Sequence, residues 1–270
     1  MTNRNDWQTS VAINANYFSA ELMADYSKAG INFIELSAGD YKIYDGYTQK
    51  ADEIFNSAKE NGVTIRSIHL PFSPFGEIDP ANSDASVRAR FLEVQKPLVE
   101  AAAKSGIEIA VIHPSGEPYR EENRPEHLKY SIESLRALQE IISQNGMKMA
   151  VENLPRTCIG RDSHDMLKIL EAIPEAFACF DANHSLKEDN ITLIKNLAGK
   201  IITLHISDYD FVDERHLMPG LGKNRWQDIM AALEEVNYSG TWNYEVGKTS
   251  SFKPEDFKQN HNNLLNGSIK

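Results

Sequence analysis

Short apolar runs alternate with longer amphipathic stretches eight times along this chain, and this alternation limits its fold more than any other feature. The runs are VAINAN (11–16), FIELSAG (33–39), TIRSIHLP (64–71), IEIAVIHP (107–114), MKMAVEN (147–153), AFACFDAN (176–183), KIITLHISD (200–208) and TWNYEV (241–246). Between them lie stretches such as SAELMADYSKAG and HLKYSIESLRALQEIISQNG, whose apolar residues recur three and four apart, the spacing of one helix face. Gly30, Gly62, Gly106 and Gly146 stand where such helices would stop, each a few residues before the next run. The last helix is expected over KPEDFKQNHNNLL. Strand–helix alternation calls for a parallel sheet with helical crossovers. Eight units in 270 residues, with no internal break resembling a linker, predict a single (βα)8 TIM barrel over 1–270. A doubly wound open sheet is the competitor, but no glycine-rich dinucleotide fingerprint follows the first run, and no organic cofactor is expected.

A barrel carries its active site at the carboxyl ends of its strands. Those ends are unusual here. Runs three to eight finish on His69, His113, Glu152, Asp181, His205 and Glu245. Taken singly, each has an ordinary reading: a hydrogen-bonded polar group for a histidine, a loop cap or a partner of Arg156 for Glu152, an ion-pair partner for Glu245. Six consecutive strands delivering an imidazole or a carboxylate to one rim is what favours a ligand set for a divalent ion such as Mn, Co, Zn or Mg. The segment ACFDANHS raises a related point. Asp181 and His184 would face opposite sides of a continuing strand. They can converge only if the chain turns through Ala182 and Asn183, which would bring His184 back over the cavity.

Composition narrows the partners. A formal net charge of −11 argues against broad attachment to nucleic acid or an anionic membrane. The loops YFSAE and SAGDYKIYDGYTQK are not rich in arginine, whereas an enzyme tracking a phosphate backbone needs a positive groove. No apolar run is long enough for a transmembrane helix, the first residues lack the apolar core of a secretory signal, and two cysteines, Cys158 and Cys179, suit a reducing cytoplasm. Phe72 and Phe75 in HLPFSPFGEIDP are candidates for the apolar wall of a small-molecule site. The loop YDFVDERHLMPGLGKNRW is expected to be the one long loop; its Lys223 and Arg225 lack full phosphate-loop spacing. Subunit number is not fixed by any of this, and a homo-oligomer stays open.

The pieces IHLPF, VIHPSGE, AVENLP, FDANH, LHISDYD…DERHLMPGLG and NYEV, in that order over nearly the whole chain, resemble the xylose-isomerase-like barrel superfamily. The order is similar to that of sugar isomerases and epimerases related to tagatose epimerase and hydroxypyruvate isomerase, and also to that of endonuclease IV. The epimerase resemblance implies one metal held by Glu152, Asp181, His205 and Glu245. It implies substrate contacts from His184 and a residue in the loop after strand seven. That position is His216, where the epimerase pattern usually has arginine, and Arg215 is adjacent. His69 and His113 are further candidates for holding substrate. The endonuclease resemblance implies instead that His69, His113, His184, Glu214 and His216 bind additional metal, Glu214 standing where the repair enzymes have aspartate.

The expected activity is that of a metal-dependent isomerase or epimerase of a sugar or sugar phosphate. Glu152 and Glu245 would move a proton next to a carbonyl through an enediolate held at the metal, each as a positioned acid or base. The competing expectations are a multi-zinc phosphoesterase and a non-catalytic sugar-binding barrel. Two carboxylates facing each other across a metal argue against the last.

Overall fold

The computed structural model describes residues 2–44, 47–247 and 251–270. Eight strands line one sheet: β1 (Thr9–Asn14), β2 (Phe33–Ser37), β3 (Thr64–His69), β4 (Ile109–Ile112), β5 (Lys148–Glu152), β6 (Phe177–Asp181), β7 (Ile201–His205) and β8 (Trp242–Tyr244). The helices that follow them are α1 (Ala20–Lys28), α2 (Tyr47–Glu60), α3 (Ala85–Lys104), α4 (Arg124–Gln144), α5 (Ser163–Ala172), α6 (Asn190–Asn196), α7 (Trp226–Glu235) and α8 (Pro254–Leu265). Neighbouring strands pair in parallel in the order β7-β6-β5-β4-β3-β2-β1-β8. Between β7 and β8 the ring is joined by a parallel bridge from Ile206 to Tyr244, with Ile206 N donating to Asn243 O and Glu245 N to Ile206 O. The result is the (βα)8 barrel expected from the alternation.

Strands in such a barrel are buried on both faces, which is why they read as nearly continuous apolar runs. Outward-facing Ile34, Ile68, Ala110 and Phe180 pack under the helices, and Ile109, Val111, Ala150 and Cys179 fill the centre. All four helix-ending glycines take the left-handed conformation; at Gly106, for example, φ is +87°, which a side chain would strain.

Two expectations need correction. His113 and Glu245 lie one residue beyond their strands, β4 ending at Ile112 and β8 at Tyr244. The loop after β7 is also not the one long loop: residues 70–84, 113–123 and 153–162 form substantial connections on the same face. These loops are held by buried polar anchors, which periodicity does not reveal. Asp79 accepts from Ala81 N, Gly116 N and the Tyr119 hydroxyl, so it ties the loop after β3 to the loop after β4. In the loop SAGDYKIYDGYTQK, Asp45 and Gly46 lie outside the described residues. Among the described residues no helix is long and apolar enough to cross a membrane.

Candidate metal centre

Glu152, Asp181, His205 and Glu245 converge above the barrel axis, each offering one ligand atom within 4.8 Å of the others. Glu152, Asp181 and His205 are fully buried, and the side chain of Glu245 is 22% exposed. His205 Nδ1 lies 3.2 Å from Glu152 Oε1, 3.3 Å from Glu245 Oε2 and 3.9 Å from Asp181 Oδ2. Yet Glu152 Oε1, Asp181 Oδ2 and His205 Nδ1 are buried without a hydrogen-bond partner. Orphaned buried polar atoms are costly, on the order of 1–3 kcal/mol each. Three of them facing one point, all able to coordinate, fit a bound cation. Three carboxylates and an imidazole form a donor set that suits Mn, Co, Zn or Mg.

The remaining atoms of this set are fixed from behind. His205 Nε2 donates to Glu35 Oε1 at 2.8 Å, and the other oxygen of Glu35 accepts from Ser67 Oγ at 2.7 Å. This arrangement leaves Nδ1 as the coordinating nitrogen, because the second ring nitrogen is committed elsewhere. Asp181 is framed by Asn153, whose side chain accepts from Asp181 N and donates to Asp181 O. Asn183 N donates to Asp181 Oδ1 at 2.5 Å, so only Oδ2 is free to face the site. Glu152 Oε2 receives His69 Nε2 at 3.0 Å and has His113 Nε2 3.4 Å away.

After Asp181 the chain leaves the strand and turns, returning His184 to the cavity. Its Nδ1 donates to Asn153 O at 2.9 Å and lies 3.3 Å from Glu152 Oε1, while its Nε2 meets Glu214 Oε2 at 3.1 Å. His216 faces the same group, Nδ1 3.9 Å from Glu245 Oε2 and Nε2 4.0 Å from Glu214 Oε2. Thus His69, His113, His184, Glu214 and His216 all border the central four. Arg215 does not: its guanidinium pairs with Asp210 at 2.7 Å on the surface, outside the residues that line the cleft. Lys223 and Arg225 are exposed, and Arg225 pairs with Asp228 at 3.0 Å.

The charges around these atoms are strongly coupled. Burial pushes the Glu152 carboxyl up, but His205, His113 and His184 together hold it well below the usual range. For Glu245 burial again raises the carboxyl, and His205, His216 and His69 together outweigh it so that the net shift is down. Asp181 goes the other way, up to about 7, through burial and the nearby carboxylates of Glu152 and Glu245. Burial disfavours a charged ring at His184, but Asp181, Glu152 and Glu214 keep its pKa well above the ordinary value. His113 is lowered, chiefly by burial. This is the electrostatics of a site with more carboxylates than its own protons balance, which a divalent ion would relieve.

Several residues that matter here were not singled out from the sequence, Glu35, Asn153 and Asp208 among them, while Asn183 was read only as part of a turn and Arg156 only as a partner for Glu152. Arg156, at φ +51°, binds Glu117, Asp213 and Glu214, joining three loops over the cleft. The ion pair entertained between Glu152 and Arg156 is therefore not formed. Asp208 accepts from Gly220 N, Gly222 N, Asn224 N and Trp226 Nε1 and so shapes the PGLG turn. A Cβ on Gly222 would come 2.4 Å from Asp208 Oδ1, so only glycine fits there. Phe72 stacks on His113, ring centroids 3.9 Å apart, and with Phe75 forms an apolar wall of the cleft.

A closed barrel with ionisable side chains gathered at the carboxyl ends of its strands defines a TIM-barrel protein with an enzyme-like cleft. The sequence matches the xylose isomerase-like TIM-barrel family over residues 23–266, and the chain belongs to that family. Two uncharacterized proteins of Methanocaldococcus jannaschii are related to it. One is 27% identical over 187 residues, covering 66% of this chain and 63% of that protein; the other is 24% identical over 171 residues, covering 63% and 66%. The matched part thus spans just under two thirds of each relative. A D-tagatose 3-epimerase-like protein superposes with a TM-score of 0.80 at 21% identity, covering 96% of this chain and 99% of the other. The 3-keto-D-glucoside 4-epimerase of E. coli gives 0.74 at 16% identity, covering 96% and 100%. A D-psicose 3-epimerase gives 0.75 at 16% identity, covering 96% and 97%. At these identities the likeness is one of fold.

Proposed function

We propose that this chain is a divalent-metal-dependent carbohydrate isomerase or epimerase. The observation that carries the reading is the convergence of Glu152, Asp181, His205 and Glu245 with three orphaned ligand atoms. The sugar-epimerase neighbours supply the substrate class. These four residues would hold the ion, which when bound supplies Lewis-acid stabilisation of charge on carbonyl and hydroxyl oxygens. The rest of the chemistry belongs to the chain. Glu152 on β5 and Glu245 after β8 approach the cleft from different sides of the barrel, so one carboxylate can take a proton beside the carbonyl and the other can return one. Return to the opposite face of the same carbon is epimerisation; return to the adjacent carbon is isomerisation. His184, its Nδ1 held by Asn153 O, can donate to a substrate oxygen through Nε2 in place of Glu214, and His216 borders the same space. Phe72, Phe75 and Pro155 wall off water on the β3–β5 side.

Titration of the purified, chelator-treated protein with Mn²⁺ tests the metal assignment. One strong site per chain is expected, weakened by about 100-fold or more in Asp181→Asn and in His205→Asn, beyond the loss usual for outer-shell changes. Wild-type affinity in either variant contradicts the assignment.

A second reading has its own observation. His69, His113 and Glu152 form one further group of ligand atoms within 4.8 Å, and His184, Glu214 and His216 form another, on either side of the central four. That is the arrangement a multi-metal phosphoesterase would need. Glu214, however, is also held by Arg156 at 2.9 Å, and His113 is stacked against Phe72. Three ions per chain together with incision of abasic DNA would select this reading; one ion and no incision would select the carbohydrate enzyme.

A further inference from the structure

Six strand ends carry ionisable groups; the other two carry neutral ones. β1 ends on Asn14 and β2 on Ser37, side by side in the sheet, and β1 also pairs with β8, whose end leads to Glu245. Around them lies a cavity of about 710 Å³, whose lining includes Asn14, Tyr17, Glu21, Ser37, Glu245 and Phe252. On the other side of Glu245, the compartment bordered by Phe72, His113, Glu152 and His216 measures about 150 Å³. Glu245 lines both, so the two adjoin at this residue of the candidate metal centre. Pockets that enclose a small-molecule ligand are commonly about 300–1,000 Å³. The smaller compartment falls below that range and the larger cavity lies within it. A substrate whose reacting carbons sit at Glu152 and Glu245 therefore has its free volume on the β1–β2–β8 side.

The chemistry of the larger cavity identifies what fills it. The amide nitrogen of Asn14, the hydroxyl of Ser37 and the carboxylate of Glu21 have no hydrogen-bond partner among the described residues, although Asn14 Oδ1 is used by Asn16 N. Tyr17 stands 63% exposed at the mouth, and Phe252 lines the same space. None of the described lining residues is cationic, and Glu21 adds an unpaired carboxylate; of the other two acids, Asp25 is paired with Lys28 at 3.2 Å and Glu245 belongs to the candidate metal centre. Unpaired carboxylate, amide and hydroxyl groups recognise hydroxyls, aromatic faces cover the C–H faces of a sugar ring, and the acidic lining disfavours phosphate or carboxylate.

We propose that this larger cavity is a second carbohydrate subsite, which takes the uncharged second unit of a glycosylated ketose. The proposal rests on the carbohydrate reading of the metal centre and adds the size and charge of the substrate. Contacts to a remote, non-reacting unit raise turnover as well as affinity, because their energy can be applied to positioning the reacting end.

The test uses the full chain loaded with Mn²⁺ and four probes: fructose, fructose 6-phosphate, and the reducing glycosyl-fructoses isomaltulose and lactulose. Binding is measured by calorimetry, and exchange of carbon-bound hydrogen is followed in deuterated water. The expected result is a kcat/KM for at least one glycosyl-fructose about tenfold or more above that for fructose. Fructose 6-phosphate should fall below fructose. In an Asn14→Ala, Tyr17→Ala double variant the ratio of glycosyl-fructose to fructose should drop about tenfold. If fructose exchanges while neither glycosyl-fructose is preferred, or the ratio is unmoved in the variant, the subsite is overturned and the enzyme reading stands. Variant-sensitive binding of a glycosyl-fructose with no exchange of any probe would keep the subsite and overturn the enzyme reading. No binding and no exchange by any probe would remove both.

Discussion

Glu35 sits in the middle of an apolar strand, fully buried, a position in which an unsupported carboxylate would cost several kcal/mol. Ser67 and His205 satisfy its two oxygens, and in return it fixes which nitrogen of His205 faces the cleft. Replacing Glu35 by leucine should leave the four candidate ligands in place but free the ring of His205. Mn²⁺ affinity should then fall by about 10- to 100-fold, with Glu35→Gln, which keeps a carbonyl acceptor, losing less. A Mn²⁺ titration of both variants checks this, and equal affinities in wild type and Glu35→Leu would show that the contact does not orient the ligand. The six ionisable strand ends were legible in the sequence because they interrupt apolar runs at one rim. Glu35 was not, since β2 is buried on both faces and has no alternation to mark an inward-pointing carboxylate.

Three loops meet at Arg156. Its left-handed backbone, of a kind that costs about 1–3 kcal/mol outside glycine, is held by Glu117 from the loop after β4 and by Asp213 and Glu214 from the loop after β7. Glu214 in turn is drawn down to about 2, first by its hydrogen bond with His184 and then by Arg156, against its burial. Arg156→Met would leave three carboxylates facing one another. The side chain is 34% exposed, so solvent screening keeps the expected loss of global stability near 1 kcal/mol. The larger effect should be local: faster amide hydrogen exchange in residues 113–123 and 209–217, with protection of the strands unchanged. Uniform loss of protection across the barrel, or none in these loops, would contradict a latch. This contact joins residues far apart in sequence through side-chain pairing, and neither periodicity nor motif spacing carries that information. The same limit explains why Arg215 looked suited to the cleft: adjacency to His216 says nothing of direction, and the chain turns Arg215 outward to Asp210.

At the scale of the molecule, eight alternations and four helix-ending glycines were enough to give the barrel and the face on which the candidate site lies. What lies beneath the barrel was not visible. His261 on α8 is almost fully buried, its Nδ1 2.8 Å from Thr9 Oγ1 and its ring stacked on Trp242. Burial, helped by Lys258, pushes its pKa from 6.5 down to about 4. The unfolded chain therefore binds a proton that the folded chain refuses between those two values. Stability from this residue is present above pH 6.5, is lost as pH falls from 6.5 toward 4, and amounts to on the order of 3 kcal/mol. Denaturation of wild type and His261→Gln from pH 7 to pH 4 should show the difference between them shifting in favour of the variant by about that amount. A pH-independent difference would mean that the ring titrates in the folded state as it does in the unfolded one.

In the proposed reaction Glu152 and Glu245 move a substrate proton at the candidate metal centre. The most direct measurement follows a panel of ketoses and their glycosides in deuterated water with the Mn²⁺-loaded protein, alongside metal-replete Glu152→Gln, Glu245→Gln and the double variant. Deuterium should enter the substrate at a carbon next to the carbonyl, and each single variant should lose exchange by about 10²-fold or more while keeping its metal. Exchange at the wild-type rate in the metal-replete double variant, or turnover with no deuterium incorporated, would contradict it.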